Sequence, residues 1–130
     1  MKVEVSRFVG APPAVVERVL SPVTLVEAEG SFDVRNVTDT ADGTRVRAGA
    51  HGVELVFEFD EREDGIEYVQ REGPLDRLET VVTYAAENEG TRLRARSEVV
   101  VGGPGALDRL AAWKRRGELK RALSTLADTC

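Results

Sequence analysis

The sequence is short of the residues from which most catalytic and metal centres are built. It holds one histidine, His51, and one cysteine, Cys130, in 130 residues. A lone cysteine excludes an intramolecular disulfide and a thiolate metal cluster. It also suits a reducing compartment, so a cytoplasmic location is expected. A zinc site takes three or four histidine, cysteine or carboxylate ligands, and one histidine with a terminal cysteine does not supply them; neither a metal nor a cofactor is expected. No apolar stretch approaches the eighteen or so residues that a membrane helix needs. The first residues, MKVEVSRFVG, interleave charge with valine and lack the apolar core of a secretion signal. A phosphate-binding loop is missing too, because Gly102-Gly103-Pro104-Gly105 has neither the lysine nor the hydroxyl of a P-loop.

What is present is an ordinary globular balance, 42% hydrophobic and 32% charged. One domain over residues 1–130 is expected, with enough chain to bury about two thirds of its unfolded surface. The net charge of -5 opposes non-specific attraction to nucleic acid or an anionic membrane. Lys114, Arg115, Arg116, Lys120 and Arg121 form a local exception. With Glu118 among them they read as the solvated face of a helix, or else as a docking site for a protein partner.

Hydrophobic periodicity divides the chain cleanly. Val3 and Val5 alternate with polar residues in a strand over residues 2–10, which Ala11-Pro12-Pro13 ends. Pro13 suits a first helical turn, and Val15, Val16, Val19 and Leu20 share one face of a short helix. Ser21-Pro22 starts a second short helix that Gly30 closes. From residue 31 to 101 the period is close to 2, broken only by turn signals such as Asp42-Gly43, Asp64-Gly65, Gly73-Pro74 and Glu89-Gly90. Strands are expected over residues 31–40, 44–48, 53–59, 66–72, 78–86 and 91–101, with His51 on a loop between two of them.

The last segment is a helix from about residue 105 to 127. Its leucines suggest two stripes, Leu107, Leu110 and Ala111 on one side and Leu119, Ala122, Leu123 and Leu126 on another. The change falls near Gly117, where a bend is expected. Antiparallel hairpins leave one sheet face needing cover, and only this helix is long enough to give it. The expected class is therefore α+β, a curved seven-stranded antiparallel sheet around a long C-terminal helix, with two short helices after strand one.

In this order the chain resembles the helix-grip proteins of the START-like superfamily, also called SRPBCC, which includes polyketide cyclase/dehydrase and lipid-transport proteins. The resemblance rests on Ala11-Pro12-Pro13-Ala14-Val15-Val16, the Asp42-Gly43-Thr44 turn, Gly90-Thr91-Arg92-Leu93 and Val101-Gly102-Gly103. Within the superfamily the chain is similar to the branch named for a small carbon monoxide dehydrogenase subunit. Glu17 stands where the family usually has tryptophan. The resemblance implies an apolar ligand, such as a lipid, a quinone or a polyketide-like compound, held between the sheet and the helix.

Strand phase puts Leu55, Phe57, Phe59, Tyr68, Val82, Tyr84 and Leu93 on the face turned toward the helix, with Leu110 and Trp113 opposite them. As plain core these side chains need no ligand. As a cavity lining they would take an apolar molecule carrying one or two polar groups. An enzyme of the cyclase or dehydratase kind would need a polar side chain inside, for which His51, Gln70 and Arg71 are the candidates. A third possibility is an accessory subunit docking through the basic helix surface.

Overall fold

Two-residue hairpins set the sheet. In the computed structural model, which describes residues 1–130, His51 and Gly52 have φ of 53° and 78°, and Asn88 and Glu89 have φ of 46° and 65°. Positive φ at both central residues is the turn that matches strand twist. The first pair joins β3 (Gly43–Ala50) to β4 (Val53–Arg62), and the second joins β6 (Arg77–Glu87) to β7 (Gly90–Val100). With β1 (Lys2–Val9), β2 (Asp33–Thr40) and β5 (Gly65–Glu72) they make one antiparallel sheet in the order β1-β7-β6-β5-β4-β3-β2. The first strand thus lies beside the last, and β1 and β2 are the two edges. β4 runs three residues beyond its expected end, because Asp60, Glu61 and Arg62 keep pairing with Glu67, Ile66 and Gly65 despite their polarity.

Between β1 and β2 lie α1 (Pro13–Val19) and α2 (Pro22–Glu29). Ser21 caps α2 by accepting from the Thr24 amide at 3.1 Å. Gly30 ends it in the left-handed conformation with φ 78°. A side chain at Gly30 would meet Arg121, whose Nε lies 2.7 Å from the ideal Cβ position. Arg121 instead donates to the Glu29 carbonyl at 2.7 Å, tying the end of α2 to the C-terminal helix α3 (Gly105–Thr129).

The inner sheet face supplies Val3, Val5, Val46, Phe59, Ile66, Tyr68, Val82, Leu93 and Ala95, which with residues of α1, α2 and α3 form one buried cluster. α3 packs on β1, β7 and α2. No helix is long and apolar enough to cross a membrane.

The expected bend at Gly117 is not found, and the helix runs unbroken through that residue. Its buried residues are Ala112, Arg115, Leu119, Ala122, Leu123 and Leu126. At about 100° per residue these fall within a single arc, so there is one stripe, and Arg115 is part of it. Leu107 and Leu110 belong to the outer face and are exposed. A Cβ at Gly117 would meet nothing within 4 Å. Gly117→Ala is expected to stabilise the protein by about 1 kcal/mol through helix propensity. A rise in the urea midpoint with unchanged slope would show it; a fall would mean that the helix needs glycine there.

Candidate functional site

The inner face carries an apolar rung interrupted by polar groups. Register places Phe59, Tyr68, Thr80 and Ser97 side by side across β4, β5, β6 and β7. Arg115 lies over this rung, only 4% exposed. Its Nε donates to Ser97 Oγ at 3.2 Å, and Nη2 donates to Thr80 Oγ1 at 2.8 Å and to the Tyr68 hydroxyl. Nη1 donates to Glu29 Oε1 and, at 3.5 Å, to Glu118 Oε1. The five N–H groups of a guanidinium thus all have acceptors. Tyr68 in turn donates to Glu29 Oε2 at 2.7 Å, and Ser97 donates to the Glu79 carbonyl at 3.1 Å.

This accounts for the protonation states. Burial opposes the charge on Arg115, and the attraction of Glu29, with smaller contributions from Tyr68 and Glu118, more than offsets it, so its pKa moves up. Burial pushes the Tyr68 phenol well above its ordinary value; Arg115 works against this and Glu29 adds to it. Tyr68 therefore stays neutral and remains a donor. Phe57 meets its ring edge-on at a 5.2 Å centroid separation, and Phe59 lies tilted against it at 4.5 Å. These contacts lock the phenol in place.

Beside this network, between α2, the first half of α3 and the middle of the sheet, is a cavity of about 120 Å³. Its apolar wall includes Val26, Leu55, Phe57, Leu78 and Val99, and Ala111 faces it from α3. Glu29 and Arg115 form one polar side, and Ser31, Lys114 and Glu118 stand around them. Ser31 donates its hydroxyl hydrogen to Glu118 Oε2. Gln70 closes the far side. Its Nε2 donates to the Leu75 carbonyl at 2.8 Å, which fixes the orientation of the amide, and its Oε1 is buried with no donor of the protein in reach. Such an acceptor costs about 1–3 kcal/mol when left unpaired. Gly73 lets the β5–β6 connection approach this side chain, since a Cβ there would fall 2.6 Å from Gln70 Cδ and 2.8 Å from Leu55 Cδ2.

Of the expected lining residues, Leu55 and Phe57 face this cavity. Phe59, Tyr68, Val82 and Leu93 are buried in the core beside it. Tyr84 is half-buried against the core, its pKa raised by burial and by Glu17 and Asp64. Leu110 and Trp113 are 62% and 75% exposed. They sit on the opposite side of α3 from the stripe that meets the sheet, so the expected position of both facing the sheet is corrected. The basic cluster divides as well. Arg115 points inward, Arg116 donates to the Glu4 carbonyl at 3.1 Å, Arg121 holds α2, and Lys114 lies by the cavity. Arg115 is not available to a surface partner.

Of the three polar candidates for chemistry, Gln70 alone lies at the cavity. His51 is exposed on its hairpin. Arg71 is on the outer sheet face, donating to Glu58 at 2.7 Å opposite Arg45. These two arginines hold the Glu58 carboxyl below its ordinary value. Sequence reasoning missed Glu29 and Arg115. A signal was present in small polar residues, Thr80 and Ser97, at inward positions of neighbouring strands, and in an arginine at the register of the buried helical stripe.

No protein-family profile matches the chain, and no curated protein matches it in sequence. Solved structures do match it in fold. TTHA0849 from Thermus thermophilus is 23% identical with a TM-score of 0.79, the match covering 98% of this chain and 95% of that one. A START superfamily protein from Mycobacterium smegmatis is 12% identical with a TM-score of 0.72, covering 99% of each chain. The Zhui aromatase/cyclase from Streptomyces sp. R1128 is 17% identical with a TM-score of 0.70, covering 97% of this chain and 93% of that one. The chain has the helix-grip fold of these START-like proteins.

Proposed function

We propose that the protein binds a hydrophobic small molecule in the space between the sheet and α3. The observation that carries this reading is an apolar cavity whose charged neighbours neutralise one another. Arg115 is matched by Glu29, and the wall formed by Leu55, Phe57, Leu78 and Val99 offers contact area rather than chemistry. The position of His51 and Arg71 on the surface favours binding over catalysis. The fold adds support, since one neighbour is a START superfamily protein and another an aromatase/cyclase. A lone, partly buried cysteine agrees with a cytoplasmic setting for this role.

Size narrows the class. Drug-sized ligands occupy roughly 300–1,000 Å³, whereas this cavity measures about 120 Å³. A whole lipid, quinone or polyketide-like compound exceeds that space, and a single ring or short branched chain matches it. The protein purified without detergent and titrated with benzene and toluene should show amide shifts in two-dimensional NMR at Leu55, Phe57 and Leu78. Native mass spectrometry of the same sample should retain any small molecule acquired in the cell. Absence of shifts at those residues with every small apolar compound tried removes the cavity as a binding site.

A further inference from the structure

The polar groups around the cavity are unevenly matched, and this mismatch selects a ligand. On the donor side, all five N–H groups of Arg115 are engaged, Gln70 Nε2 is held by the Leu75 carbonyl, and the Ser31 hydroxyl is turned to Glu118. Tyr68 and Ser97, behind Arg115, donate to Glu29 and to the Glu79 carbonyl. Only the exposed Lys114 ammonium lacks an acceptor among the hydrogen bonds of the protein. On the acceptor side Gln70 Oε1 is buried and unmatched.

Building on the binding function proposed above, we infer that the cavity selects small cyclic or branched molecules carrying a neutral hydrogen-bond donor, a phenol or an alcohol, which gives its O–H to Gln70 Oε1. The ring lies against Leu55, Phe57, Leu78 and Val99. An ammonium in place of the hydroxyl would have to shed its water in an apolar space where Glu29 is already matched by Arg115. A ligand with acceptors only would leave Gln70 Oε1 unpaired and set its own oxygen against it. Gly73 and the Leu75 carbonyl fix the amide, so the acceptor cannot be exchanged for a donor by rotating the side chain.

Two near-isosteric pairs test this by calorimetry and NMR. Phenol against toluene compares a hydroxyl with a methyl, and cyclohexanol against cyclohexanone compares a donor with an acceptor. The expected result is that phenol and cyclohexanol bind at least roughly tenfold more tightly than their partners, the effect of one buried hydrogen bond. Gln70→Met should abolish the gap within each pair. Binding of all four compounds in the order of their hydrophobicity overturns donor selection and leaves the cavity as a site. A gap that persists in Gln70→Met overturns the assignment to Gln70. Binding of none of the four overturns this inference together with the function on which it rests. The wild-type comparison decides donor selection even if Gln70→Met loses the dispersed amide spectrum of a folded protein.

Discussion

Arg115→Met is expected to destabilise the protein by about 3–5 kcal/mol, because it leaves a buried carboxylate without its cation. Glu29 is 7% exposed and would keep only the Tyr68 hydroxyl as a side-chain donor, while Thr80 and Ser97 would lose the guanidinium above them. Arg115→Lys should lie between the two, since an ammonium keeps the charge and brings three donors where five acceptors wait. The double change Arg115→Met with Glu29→Leu should recover much of the loss, because a buried ion pair replaced by apolar groups is often close to neutral. Glu58→Gln is the control. It removes a carboxylate with two arginine partners on the exposed outer face, where ion pairs contribute about 0–1 kcal/mol. Urea unfolding of the four variants gives the answer. If the double variant is no more stable than Arg115→Met alone, the cost does not come from an orphaned Glu29.

The same network shows what could be read from the sequence. Period-2 alternation and two-residue turns are local properties, so the strands and their antiparallel pairing could be placed from neighbours a few residues apart. The phase of α3 could not. Its leucines lie on two sides, and the choice of buried side depends on Arg115, whose acceptors Glu29, Tyr68, Thr80 and Ser97 are distant in the chain. Taken alone, an arginine in Lys114-Arg115-Arg116 is a surface residue, and that assumption turned Leu110 and Trp113 inward. Once five acceptors meet at one point, burial of the guanidinium is compensated and the whole helix rotates. Leu55, Phe57 and Gln70, on strands whose phase was clear, could be placed at the helix-facing side without this knowledge. The cavity itself, bounded by α2 and the Leu75 carbonyl, depends on loop positions that no periodicity encodes.

Ala111→Leu is expected to abolish binding of cyclohexanol within the reach of the titration, a loss of roughly tenfold or more, while leaving the fold intact. Ala111 faces the cavity from α3 and is packed against the core, so a leucine side chain extends into the space that the ligand ring would occupy. Leucine is close to alanine in helix propensity, and filling an apolar void restores contacts that the lining lacks; the melting temperature should hold or rise. Trp113→Ala provides the opposing test on the same helix. Trp113 is 75% exposed on the far side, and its removal should leave both affinity and the NMR shifts at Leu55 and Phe57 unchanged. Were Trp113→Ala to lose binding while Ala111→Leu kept it, the ligand would lie on the outer surface of α3 and the buried cavity would be core packing only. Loss in Ala111→Leu alone locates the ligand between helix and sheet, against the wall that Gln70 closes.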